Sequence, residues 1–85
     1  MASRRFLLYS RHGCGLCEEM LSAVAALPAA SGVGIDVVDV DGNDAVRARY
    51  GHKVPVLLFD GELVCHGRLD LEEVYKALAH HRRPV

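Results

Sequence analysis

Three segments within the first forty residues leave few folds open to this chain. Phe6-Leu7-Leu8-Tyr9 is an unbroken apolar run of strand length. Leu16, Met20, Leu21, Val24 and Leu27 then recur at helical spacing, and Val33, Ile35, Val37, Val38 and Val40 crowd a β-branched stretch. An all-apolar run suits a strand buried on both faces, and β-branched side chains suit strands in general. Strand, helix and strand in that order form a βαβ unit, with parallel strands and a right-handed crossover.

The rest of the chain closes the unit. Pro28 ends the first helix and Ser31-Gly32 is loop. Asp41-Gly42-Asn43-Asp44 opens a short helix carrying Val46 and Tyr50, which Gly51 stops as the residue past its C-terminus. Val54-Pro55-Val56-Leu57-Leu58-Phe59 is a third strand entered through a proline. Asp60-Gly61 is a two-residue hairpin turn, and Glu62-Leu63-Val64-Cys65 is the antiparallel return. Leu71, Val74, Tyr75 and Leu78 make a last helical stripe behind Asp70, with Glu73 completing a capping-box-like start. His80 to Val85 is a polar tail expected to fray. The order βαβ–α–ββ–α predicts a single α/β domain over residues 1–85, a four-stranded mixed sheet flanked by helices.

Composition removes several function classes. With 51% apolar and 25% charged residues the chain is globular rather than disordered. A net charge of −1 gives no electrostatic case for nucleic acid or an anionic membrane surface. No apolar run approaches the ~20 residues of a membrane span. The run after the basic N-terminus is too short for a signal-peptide core, so a cytoplasmic address is the expectation; a monomer is expected as well. In a reducing compartment a Cys-x-x-Cys is catalytic or metal-binding rather than a structural staple.

Cys14-Gly15-Leu16-Cys17 lies at the junction of the first strand and first helix, the position of a thiol–disulfide redox site. On a first helical turn, residues i and i+3 share a face, close enough for their sulfurs to bridge. Unpaired backbone N–H groups and the positive end of the helix dipole favour thiolate over thiol at the first cysteine. Cys14 is therefore the expected nucleophile and Cys17, one turn deeper, the resolving thiol. His12 is placed to tune the thiolate or shuttle a proton, and Arg11 to bind a substrate carboxylate in two-pronged fashion; solvated loop roles stand beside both. Asp70 reads as a helix cap and Cys65 as a buried strand residue, with a regulatory third-thiol role standing beside the latter. Lys53 is a candidate for the groove lining, and His52, His80 and His81 receive no role.

These residues carry a family resemblance. The Cys-x-x-Cys at the first helix, Val54-Pro55 entering a hairpin and the element order resemble the thioredoxin fold in its minimal glutaredoxin form. Tyr9 to Cys17, Val38 to Asp41 and Tyr50 to Leu57 resemble the corresponding runs of small bacterial glutaredoxin-like proteins. The resemblance implies a cis peptide at Val54-Pro55 facing the cysteine pair, with the Val54 backbone free to pair with an extended peptide or glutathione. It also implies a dithiol oxidoreductase without a bound cofactor, glutathione or a thioredoxin-type reductase supplying electrons. Protein disulfides or glutathione mixed disulfides would be the substrates.

The chain departs from the glutaredoxin pattern in two places. Gly15 and Leu16 stand where Pro-Tyr is usual, and the Gly-Gly of the glutathione nest is replaced around Cys65-His66-Gly67-Arg68, leaving Gly67. Arg11 takes the place of the lysine that pairs with the glycyl carboxylate. The competing reading is a metal-binding module, with Cys14, Cys17 and Cys65 plus His66 or His12 offered to zinc, or a cysteine pair sharing an iron–sulfur cluster between subunits. Against it, Cys65 and His66 are adjacent in a strand and face opposite ways, and no residue is assigned as a metal ligand. A redox-silent adaptor is a third reading.

Overall fold

In the computed structural model, which describes residues 4–81, the first strand is the organising element. β1 (Arg5–Ser10) is followed by α1 (Gly15–Ala25), β2 (Gly34–Asp39), α2 (Asp44–Tyr50), β3 (Val56–Phe59), β4 (Glu62–His66) and α3 (Leu71–His81). The sheet order is β2-β1-β3-β4. β1 runs parallel to β2, as the βαβ unit requires, and antiparallel to β3; β3 and β4 form the antiparallel hairpin around Asp60-Gly61.

Alternation along the strands decides which face holds the core. Phe6 and Leu8 of β1 and Leu57 and Phe59 of β3 lie beneath Met20 and Val24 of α1 and Val74 and Leu78 of α3. The Phe6 and Phe59 rings sit 4.8 Å apart in a tilted pair. On the other face Val56 and Leu58 are buried, and Tyr9 stacks on Tyr50 of α2 at 4.9 Å. α2 has only 7 residues, and Leu63, which pairs with Leu58, remains exposed.

Several boundaries differ from the sequence reading. α1 stops at Ala25, and Pro28–Ala30 forms a separate 3-10 turn that buries Ala30. β2 ends at Asp39 because Val40–Gly42 winds into a second 3-10 turn, capped when Asp39 Oδ1 accepts the Asp41 N–H at 2.9 Å. This puts Val40 fully inside. Asn43 Oδ1 caps α2 by accepting the Val46 N–H at 3.0 Å. Gly51 is not in the left-handed conformation expected of a stop residue, since its φ is −56°. Its glycine is explained by crowding, because a Cβ there would lie 2.5 Å from the Arg47 carbonyl oxygen. β4 carries a bulge, for Cys65 pairs with Leu57 and Leu63 with Leu58, leaving Val64 between them. α3 runs on through His80 and His81, which the sequence reading placed in the tail; residues 82–85 lie outside the described residues.

Candidate active site

The chain turns immediately after β1. The Cys14 N–H donates to the Arg11 carbonyl at 3.1 Å, closing a four-residue turn. Gly13 occupies its third position at φ 78°, the left-handed region that a type II turn demands there. Cys14 then caps α1: its backbone is extended, and its sulfur accepts the Cys17 N–H at 3.1 Å. Cys14 and Cys17 are joined in a disulfide with Cα atoms 5.2 Å apart.

The two sulfurs occupy different environments. Cys17 falls on the α1 stripe with Met20 and Val24 and is 1% exposed. Cys14, outside the helix proper, is partly exposed. Cys14 is therefore the accessible sulfur of the pair, and it stands at the N–H donors and positive dipole end of α1, a position that favours a thiolate in general. Glu18 in the first turn opposes this in part. Leu16, between the cysteines, presents its apolar side chain to solvent at 54% exposure.

The topology brings the other sequence-derived candidates to the same end of the sheet. Tyr9 pairs with Val56, so the turn leaving β1 and the segment entering β3 emerge side by side. The Val54–Pro55 peptide bond is cis. Among the described residues the Val54 N–H and carbonyl make no backbone hydrogen bond, whereas the Pro55 carbonyl accepts the Gly67 N–H at 2.8 Å. Gly67, Arg68 and Leu69 face Leu16, Glu19, Met20 and Ala23 across a cleft of about 410 Å³. His12 and Lys53 are exposed.

Arg11, for which the sequence leaves a substrate-carboxylate role and a solvated loop role side by side, is engaged within the fold. Its Nε and Nη2 donate to Asp41 at 2.8 and 2.9 Å, and its Nη1 donates to the Gly51 carbonyl at 2.8 Å. The Arg11 guanidinium, by hydrogen bonding, holds the Asp41 carboxyl below its ordinary value. Asp41 and Gly51 were not among the sequence-derived candidates. The only signal for Asp41 was its place in the acidic run ending the second strand.

Asp70 acts as the expected cap, with its Oδ1 accepting the Glu73 N–H at 3.3 Å, while the Glu73 carboxylate takes Lys76 at 3.3 Å instead of completing a capping box. Cys65 is a free thiol packed against the core, and burial pushes its pKa up. Its neighbour His66 is exposed. Among the described residues no three histidine, cysteine, aspartate or glutamate side chains converge as a metal site, and no helix is long and apolar enough to cross a membrane.

Comparison with known proteins gives these features a context. A family model described as "Glutaredoxin-like domain (DUF836)" matches residues 5–79. The uncharacterised protein Rv0508 of Mycobacterium tuberculosis is 36% identical over 59 residues, which are 64% of this chain and 61% of that protein. The chain thus matches 61% of the length of its curated relatives. The solution structure of protein Ne2328 from Nitrosomonas europaea superposes with a TM-score of 0.78 at 32% identity, covering 89% of this chain and 92% of that one. Thioredoxin 1 from Thermosipho africanus superposes with a TM-score of 0.60 at 19% identity, covering 92% and 93%. That likeness concerns the fold alone, and the fold is the thioredoxin fold expected from the sequence.

Proposed function

The chain belongs to the glutaredoxin-like (DUF836) family, and from that premise we propose that it is a dithiol thiol–disulfide oxidoreductase acting through Cys14 and Cys17. The supporting observation is the pairing of an accessible sulfur at a helix N-terminus with a buried one close enough to bridge to it.

The Cys14 thiolate attacks one sulfur of a substrate disulfide along the S–S axis. A Cys14–substrate disulfide forms, and the other substrate sulfur leaves as a thiolate that takes up a proton. Cys17 loses its proton to solvent and attacks Cys14 Sγ. The intramolecular disulfide forms, and the second substrate sulfur leaves as a thiol after protonation. Two electrons pass from the cysteine pair to the substrate, and an external thiol reductant, glutathione or a thioredoxin-type reductase, returns them.

Protein disulfides are the favoured substrates over glutathione mixed disulfides. All three Arg11 nitrogens are already engaged, so a glycyl carboxylate would have to displace Asp41. An extended peptide would meet the unbonded Val54 backbone, with Leu16 and the neighbouring cleft offering apolar contact. His12 is exposed two residues before Cys14, where an approaching substrate would pass it.

The test is a redox titration of the purified protein in glutathione buffers, read by mass after rapid thiol trapping, beside Cys17→Ser. A reversible two-hydrogen change at Cys14 and Cys17 is expected; glutathione trapped on Cys14 in the variant would mark a glutathione link, and a disulfide that forms without such an adduct a protein substrate. A pair that stays reduced throughout the accessible range overturns the proposal.

A further inference from the structure

We infer that Arg11 is a positioning residue, its guanidinium clamping the turn that presents Cys14 to the segment leading into Val54–Pro55; this rests on the reductase reading above. Arg11 lies three residues before the nucleophile, and its own carbonyl accepts the Cys14 N–H. Between them Gly13 sits in the left-handed region, so the backbone of the turn rests on one hydrogen bond and a permissive glycine. The side chain supplies what the backbone lacks. It reaches Asp41, 30 residues away, with a parallel pair of bonds at 2.8 and 2.9 Å, and Gly51, 40 residues away, with a third at 2.8 Å.

Both anchors are themselves held. The Asp41 N–H donates to Asp39 Oδ1 at 2.9 Å, which fixes the 3-10 turn carrying the carboxylate. Gly51 is buried, its N–H donates to the Arg47 carbonyl at 2.8 Å, and it stands three residues before Val54. A Cβ at Gly51 would also approach Arg11 Nη2 to 3.2 Å, so the guanidinium and the glycine are fitted to each other. One side chain therefore ties together three segments: the nucleophile turn, the end of β2 and the approach to Val54.

Stability does not account for this arrangement. The Arg11 and Asp41 side chains are 38% and 40% exposed, and ion pairs so solvated contribute little to folding. A two-pronged arginine–carboxylate contact does fix orientation. Reacting groups tolerate misplacement poorly, so a small shift between Cys14 and a peptide held at Val54 slows exchange far more than it lowers stability.

The experiment compares Arg11→Gln, Asp41→Asn, the double variant and Arg11→Lys with the parent. The probes are a fluorophore-labelled peptide disulfide and iodoacetamide, with amide hydrogen exchange and thermal melts alongside. Each single variant is expected to slow reduction of the peptide disulfide on the order of tenfold or more. The double variant should be no slower than either single one, and Arg11→Lys should recover part of the rate. The pH midpoint of Cys14 alkylation should stay where it is.

Asp41→Asn carries the sharpest distinction. If Arg11 binds a substrate carboxylate, freeing it from Asp41 raises the rate and the inference is overturned. A displaced alkylation midpoint in Arg11→Gln alone overturns it in favour of a charge effect, and unchanged rates overturn it in favour of an idle surface pair. If the parent itself does not reduce the peptide, the reductase reading fails. The clamp is then decided by exchange at the Cys14 amide, which both single variants should accelerate and which overturns the clamp if unchanged.

Discussion

If Cys14 Sγ caps α1 as placed here, replacing it by serine and by alanine must have different consequences. Neither variant can form the disulfide, so their difference isolates the capping contact from the crosslink. Serine keeps an oxygen able to accept the Cys17 N–H, the bond that Cys14 accepts at 3.1 Å; alanine leaves that N–H without a side-chain partner. Losing a serine cap costs typically about 1 kcal/mol, within a range of about 0.5–2. In a domain this small, 1 kcal/mol displaces the midpoint by roughly 4–8 °C. Cys14→Ser should therefore melt roughly 4–8 °C above Cys14→Ala. The helix should survive in both, because Cys17, Met20 and Val24 anchor its buried side. Urea and thermal melts at neutral pH with reductant present give the numbers, and hydrogen exchange at the Cys17 amide locates the effect. Equal stabilities with unchanged Cys17 exchange would refute the placement of the sulfur, and with it the argument that this helix end stabilises a Cys14 thiolate.

Leu8→Ala, in the fully packed face, should cost about 2–5 kcal/mol, a large part of the ~4–13 kcal/mol of a domain this size. Leu63→Ala on the exposed β4 position should stay within about 0.5 kcal/mol, and similar losses for the two would contradict the assigned faces. Cys65 should alkylate slowly at neutral pH, with a rate still climbing past pH 9, because burial foremost, and the Asp70 and Glu73 charges, lift its thiol above the ordinary 9.0 despite a backbone hydrogen bond from Asp70. A plateau below pH 9 would show that the thiol is not desolvated. Asp36 and Asp41 are held below the ordinary 3.8 chiefly by hydrogen bonds from Arg5 and Arg11. Their stabilisation is present above the unfolded-state value and is lost as pH falls through the lower folded-state values. The parent should accordingly lose melting temperature on acidification below about pH 4 more steeply than an Asp36→Asn/Asp41→Asn double variant. High salt should shrink the difference, since both pairs are exposed, and identical acid slopes would refute the pairing.

What the sequence made legible was whatever depends on periodicity and on local turn chemistry. The alternation of Phe6 and Leu8, the stripe of Met20 and Val24, and Asp60-Gly61 each report a contact close along the chain or an average over one face. They suffice for element order, sheet type and the position of the cysteine pair. The partner of Arg11 was not legible, because an exposed arginine is equally suited to solvent, a substrate carboxylate or Asp41. The choice is made by a distance across 30 residues of chain. The bulge at Val64 is hidden for a related reason: Leu63, Val64 and Cys65 form an unbroken apolar run that shows no break where pairing slips. Gly51 illustrates a third limit. Glycine can be required by a left-handed backbone or by a crowded neighbour, and only the Arg47 carbonyl beside it shows which.

The order proposed for the two cysteines rests on the unequal placement that the fold gives them. A right-handed crossover between parallel β1 and β2 must begin at the carboxyl end of β1, so the α1 N-terminus opens at that edge of the sheet. β3 runs antiparallel to β1 and starts at this edge, and β4 ends there, so the loops at 11–14, 51–55 and 66–70 share one rim. Within α1 the phase is set by the core, since Met20 and Val24 must face Phe6 and Leu8. Cys17, three residues before Met20, falls on that inward stripe, while Cys14 lies one position before the helix and escapes it. The outer sulfur can meet a foreign disulfide, and the inner one can reach only its neighbour. Exchanging the two roles would require rotating α1 against its own core. In the reaction proposed above, helical phase therefore assigns the attack to Cys14 and the resolution to Cys17.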